Sequence, residues 1–190
     1  GRDHRDEAGE RRAVQALGYA LALASGVLLA LSFPQFGHPA FGWIALAPLL
    51  VALAGSTNTR KAFLLGLTSG IVYFTGTLYW ITLVMAVYGG LPMWIAAILN
   101  GALIAYLALF PALFAVVMRR ALSAFGARAL AAAPLVWVAT ELGRTYILTG
   151  FPWVLLGYSQ ATVLPIAQVA SLFGVYGLSA LVAAVSAATA

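Results

Sequence analysis

"AFLLGLTSGIVYFTGTLYWITLVMAVYGGLPMWIAAILNGALIAYLALFPALFAVVM", residues 62–118, contains no Asp, Glu, Lys or Arg. A helix crosses about 30 Å of hydrocarbon with roughly 20 apolar residues, so this run holds more than one crossing. Two further uncharged runs, 13–59 and 145–190, lie on either side of it. Of the 190 residues, 63% are hydrophobic and only 8% are charged, against about 25% in an ordinary soluble domain. That is too little charge to cover a water-facing globule. Strands of a membrane barrel would place a polar residue at every second position, and the runs lack that alternation. Backbone groups in lipid must then be satisfied within helices. The fold class is all-α, a polytopic membrane helix bundle.

Turn residues divide the chain into about six transmembrane helices. The first, about 13–32, is closed by "SFPQFGHP", where Pro34 and Pro39 stop it. The second, about 40–57, is short and contains Pro48. The third runs over about 62–86 and ends in "VYGGLP"; the fourth, 92–118, opens at Pro92 and carries Pro111 as a kink site. Spans at 129–149 and 165–188 complete the set, behind a charged N-terminal segment, 1–12.

If the crossings alternate, Arg2, Arg5, Arg11, Arg12, Arg60, Lys61, Arg119, Arg120 and Arg128 all fall on one side, and Arg144 stands apart. The positive-inside rule makes that side cytoplasmic, together with the N-terminus. "FPQFGHPAFGW", "VYGGLP" and "GFPWVLLGYSQ" then face outward. The charged start followed by Ala13–Ala24 resembles a signal peptide. Asp3, Asp6, Glu7 and Glu10, with apolarity continuing past Ser25, favour an uncleaved first helix instead. A start at Gly1 and an apolar finish in "LVAAVSAATA" lead us to expect a piece of a longer chain.

The formal net charge of +5 punctuates apolar runs and forms no single patch, so no nucleic-acid partner is expected. With no Cys there is neither disulfide nor thiolate, and His4 and His38 are too few and too separated for a metal centre. No metal or cofactor is expected. A transporter or channel would place several ionisable groups at mid-membrane, and this chain offers only Glu141 and Arg144.

Those two residues lie three apart on one helical face. They read either as a helix-packing ion pair or as a polar anchor for a lipid headgroup or an extracytoplasmic domain. A lone carboxylate makes poor general acid–base machinery, so no catalytic residue is assigned. Trp137 stands one turn before Glu141. Trp80, with Tyr79, ends the third span, and Trp43 begins the second; each fits an interfacial aromatic belt. His38, between Gly37 and Pro39, reads as a solvated loop residue. Gly150 is suited to a left-handed helix end, and Phe151-Pro152 cannot continue a helix. Trp153, Tyr158 and Gln160 follow around an apolar "VLL" that is expected to lie in the membrane interface. The candidate lipid- or substrate-contacting residues are therefore Trp80, Trp137, Glu141, Arg144, Phe151, Trp153, Tyr158 and Gln160.

"TELGRTYILTGFPWVLLGYSQ" (140–160) followed by "LPIAQVASLFGVYGLS" (164–179) resembles the membrane region of bacterial apolipoprotein N-acyltransferases. "LSFPQFG" (31–37) and "GTLYWITLVMAVYGGLP" (76–92) are weaker matches in the same order. The resemblance covers nearly all of the chain past its first dozen residues. It implies a bacterial inner-membrane enzyme that takes an acyl chain from a phospholipid, typically phosphatidylethanolamine, through a thioester acyl-enzyme. The chain passes to the α-amine of the diacylglyceryl-cysteine that begins an apolipoprotein. In that family a Glu–Lys–Cys triad on a nitrilase-like domain performs the chemistry. This sequence has no Cys, and its single Lys is Lys61, so no triad residue carries over. The implied role is to seat the catalytic domain and to line the path of lipid tails. A second reading is a non-catalytic membrane scaffold for a partner enzyme such as a polyprenol-phosphate mannosyltransferase.

Overall fold

A computed structural model describes residues 3–33, 37–148 and 150–190. Pro34, expected to stop the first helix, and Thr149 of the "LTGFPW" block lie outside the described residues. Among those described there are helices and no strands: α1 Asp3–Leu31, α2 Ala47–Ala54, α3 Thr59–Leu78, α4 Trp80–Val87, α5 Met93–Phe125, α6 Ala133–Tyr146, α7 Leu164–Ala167 and α8 Ala170–Ala188. Three 3-10 turns, Pro39–Ile44, Gly126–Ala132 and Leu156–Gln160, join them. Four helical stretches are long and apolar enough to cross a membrane: Arg12–Leu31, Thr59–Leu78, Met93–Tyr146 and Ala170–Ala188. Pro39–Ala54 is apolar but shorter.

Each departure from the expected spans has a local cause. Pro48 does not interrupt the second span, because it occupies the first turn of α2, where no helical N–H is needed. The stretch 40–57 is a 3-10 turn leading into a short helix. The third span breaks at Tyr79. There the Asn100 amide donates to Leu78 O (3.0 Å) and the Trp80 indole donates to Thr77 O (3.0 Å), so side chains serve carbonyls near the break. The helical element α5 is continuous through Pro111 and runs past Arg119 and Arg120 to Phe125. The last span divides into α7 and α8, and Gly174 inside α8 holds φ +67. His38 is exposed as expected, and its Nδ1 accepts from Ala40 N at 3.2 Å to cap the first 3-10 turn.

Small residues set the helix spacing. A Cβ on Gly66 would lie 2.5 Å from Pro111 O and 2.6 Å from Ala115 Cβ; one on Gly70 would lie 2.9 Å from Ala108 Cα. The backbones of α3 and α5 therefore touch, as small residues permit in membrane bundles. The pairings Gly66 with Ala112, Gly70 with Ala108 and Leu78 with Asn100 make these helices antiparallel. Phe110 against Gly143 and Phe114 against Trp137 make α5 and α6 antiparallel in turn. Gly26 packs on Ser69 and Gly76 on Ala30, so α1 and α3 run side by side in the same direction. Their shared core holds Leu29, Leu49, Leu65, Tyr73, Phe74, Leu107, Phe114 and Trp137.

Candidate functional site: a clamped loop and an aromatic shelf

Helix α6 delivers Trp137, Glu141 and Arg144 on one stripe, and all three are buried. They converge on the irregular segment that follows the helix. Backbone N–H of Phe151 returns to Arg144 O (2.7 Å); Gly150 adopts φ +83 as expected, but it does not end the helix, which stops at Tyr146 with Ile147 extended as its cap. The chain then passes back along α6, where the two charged side chains hold its peptide groups.

Glu141 Oε1 accepts from Leu156 N–H at 2.6 Å and from the Trp137 indole N–H at 3.1 Å. Arg144 donates from Nη1 to Trp153 O and from Nη2 to Val154 O, each at 2.7 Å. Its contact with Glu141 is longer, 3.8 Å from Nη2 to Oε1. Tyr73 of α3 donates its hydroxyl to the same Val154 carbonyl at 2.5 Å, and the Phe74 ring lies 5.3 Å from the guanidinium carbon. Further along, Gly157 N–H meets the Ser179 hydroxyl of α8 at 2.8 Å. The Gln160 amide donates to Pro39 O at 2.8 Å and to Ser159 Oγ at 2.9 Å.

Burial sorts the eight candidates into two groups. Trp137, Glu141, Arg144 and Gln160 are buried, and their hydrogen bonds run to this chain's own groups. Trp80 and Phe151 are half-buried, while Trp153 and Tyr158 are exposed. Trp153 stacks on Trp80 (centroids 5.9 Å, 25° between planes) and meets Phe151 at 5.4 Å. These three rings form a shelf on the loop. Tyr158 stands apart from it on the 3-10 turn Leu156–Gln160.

Two expectations are corrected. Leu155 and Leu156 of "VLL" do not lie in an interface; they are fully packed into the core. Gln160, a candidate lipid or substrate contact, has its side chain wholly enclosed by protein, 0% exposed. The first follows from the clamp, which draws peptides 153–157 against α6 and α8; Gln160 is held instead by Pro39 O and Ser159 Oγ.

Sequence reasoning missed Tyr73, Asn100, Ser179 and Ser186. Each is a polar group inside an apolar run, and that was the available signal. Ser186 Oγ accepts from Leu46 N (2.8 Å) and Ala47 N (3.1 Å), capping α2 from α8.

Arg144 Nη1 and Nη2 each donate to a carbonyl, and there is no Cys in the chain. No group of three or more His, Cys, Asp or Glu that could hold a metal occurs among the described residues. The arrangement fixes a loop and displays rings.

Residues 25–188 match the family described as apolipoprotein N-acyltransferase N-terminal domain. The chain belongs to that family. It is 47% identical over 171 residues to the apolipoprotein N-acyltransferase of Geobacter metallireducens, covering 90% of this chain and 32% of that protein. Against the apolipoprotein N-acyltransferase of Pasteurella multocida it is 34% identical over 169 residues, 89% of this chain and 31% of that one. Against that of Shewanella oneidensis the identity is 35% over 188 residues, 95% and 35%. The chain thus spans about a third of the length of these apolipoprotein N-acyltransferases. The matched region of the family runs from the last two turns of α1 to the end of α8 and contains the whole clamp.

Proposed function

We propose that this chain is the membrane portion of an apolipoprotein N-acyltransferase of the bacterial inner membrane, with its N-terminus in the cytoplasm. The full enzyme moves an acyl chain from a phospholipid such as phosphatidylethanolamine to the N-terminal diacylglyceryl-cysteine of an apolipoprotein. The residues here seat a nitrilase-like catalytic domain and receive lipid tails.

The observation that carries this reading is the shelf of Trp80, Phe151 and Trp153 on a loop whose backbone polar groups turn inward. Such a surface offers rings and hydrocarbon to lipid while its peptides stay satisfied. Trp153 is 54% exposed, so its ring has area left to give to an acyl chain. Orientation is supported by the basic ends: Arg119 shares a surface cleft with Leu50, Ala54 and Ala190, which gathers the ends of α2, α5 and α8 together.

The test replaces Trp153 or Tyr158 by Ala in the full-length protein and measures apolipoprotein acylation at matched protein levels. Acylation is expected to fall most for Trp153→Ala; unchanged rates in both variants would sink the lipid-handling role. The inward pairing of Glu141 and Arg144 also fits a scaffold that only seats a partner enzyme, such as a polyprenol-phosphate mannosyltransferase. Complementation of an acyltransferase-depleted strain by the full-length gene separates the two readings.

A further inference from the structure

Val154 holds φ +50, and so does Leu148 at the other end of the loop. A β-branched residue rarely adopts this left-handed conformation, which persists only where its surroundings over-determine it. Here three donors do so. Arg144 binds the carbonyls of Trp153 and Val154, and the Tyr73 hydroxyl binds Val154 O as well. Tyr73 is itself immobilised: it is fully buried, with its ring 4.5 Å from Phe74 and 6.0 Å from Phe33. It reaches the loop from α3, whereas Arg144 reaches it from α6. The peptide that follows Trp153 is therefore fixed from two helices at once.

Outside that fixed peptide, the Trp153 indole stands against Trp80, which opens α4 directly after α3. The tyrosine that grips Val154 and the tryptophan that faces Trp153 thus belong to the same helical arm. We infer that Tyr73 is a positioning residue for lipid handling: its hydroxyl sets where the Trp153 indole stands relative to Trp80. This rests on the reading of the shelf as the acyl-chain contact. Losing the hydroxyl leaves Arg144 to hold Val154 alone, so the strained residue relaxes part of the time and the indole leaves its stack.

The test is Tyr73→Phe in the full-length protein, labelled with 5-fluorotryptophan and placed in nanodiscs of phosphatidylethanolamine and phosphatidylglycerol. Fluorine spectra are recorded, with the Trp153 signal assigned from Trp153→Phe. One lost hydrogen bond is expected to raise the displaced Trp153 population roughly fivefold to tenfold. The Trp137 signal, from the buried centre of the clamp, stays where it was. A Trp153 signal that does not change, or one that moves together with Trp137 as in a general loosening, overturns the proposal. Acylation kinetics separate this from the reading beneath it. If the indole is displaced, KM for phospholipid should rise severalfold with kcat within twofold. A displaced indole with unchanged KM overturns the lipid-handling part, and an unmoved indole overturns the positioning whatever KM does.

Discussion

Removing both charges of the clamp together should not restore stability, and that outcome distinguishes a loop clamp from a simple ion pair. Buried ion pairs can often be replaced by apolar residues of similar size at little loss, because desolvation of the charges offsets their attraction. In Glu141→Leu/Arg144→Met that exchange is available, but the partners here are mostly peptides. Leu156 N–H and the Trp137 indole N–H would lose Glu141 Oε1, and Trp153 O would lose Arg144 Nη1. Val154 O would keep Tyr73. Three buried polar groups are orphaned, at about 1–2 kcal/mol each, giving a loss of about 3–6 kcal/mol.

The single variants should fall in a similar range, since each leaves one buried charge uncompensated, at about 3–5 kcal/mol. Thermal unfolding of purified protein in nanodiscs reads this as a midpoint about 10–20 °C lower for the double variant. A double variant within about 1 kcal/mol of the parent would refute the reasoning. It would mean that the two charges serve each other, at 3.8 Å, and not the loop.

Other perturbations follow from the same geometry. Gly66→Leu should lower the unfolding midpoint by the equivalent of at least 1–3 kcal/mol, about the cost of overpacking, because its Cβ already collides with Pro111 O. Gly101→Ala has nothing within 4 Å and should be neutral or stabilising by up to about 1 kcal/mol; equal effects of the two would dissolve the α3–α5 packing argument. Ser186→Ala orphans Leu46 N–H and Ala47 N–H and should cost about 1–3 kcal/mol in the same assay. Gln160→Leu should weaken the tie between the loop and Pro39 O and destabilise by about 1–2 kcal/mol. Because Gln160 is buried, it should leave the KM for phospholipid unchanged; a selective rise in KM would return it to the surface.

The class of fold was legible because absence of charge over residues 62–118 needs no periodicity to interpret. The left-handed backbone of Gly150, φ +83, was legible too, although the helix it was expected to end stops earlier, at Tyr146. The inward turn of "VLL" was not. Apolar side chains satisfy a lipid interface and a protein core equally well, so composition cannot tell which one Leu155 and Leu156 enter. The break at Tyr79 was hidden for a different reason: it depends on Asn100 of α5 and Trp80 of α4 reaching Leu78 O and Thr77 O at the end of α3. Glu141 and Arg144 were found at once as lone charges and they do pair, at 3.8 Å, but their shorter bonds go to peptide groups that the spacing does not show. Spacing in sequence shows which side chains share a face, whereas Arg144 serves carbonyls nine and ten residues further on and Glu141 accepts from Leu156 N–H.

Those peptide partners point to the rule by which this chain uses its polar residues. In an apolar surrounding, irregular backbone survives only where each exposed N–H or C=O finds a partner. Several scarce polar side chains answer one such break. Arg144 and Tyr73 answer the carbonyls of Trp153 and Val154; Glu141 answers the amide of Leu156; Ser179 answers that of Gly157. Gln160 answers Pro39 O, and Ser186 answers the start of α2. With these peptides satisfied from inside, the outer side of the loop needs no polar groups of its own, and there Trp153 lies exposed against Trp80 and Phe151. The buried charges act at one remove: they satisfy a non-helical loop from inside, so that its outer side carries the rings of Phe151 and Trp153.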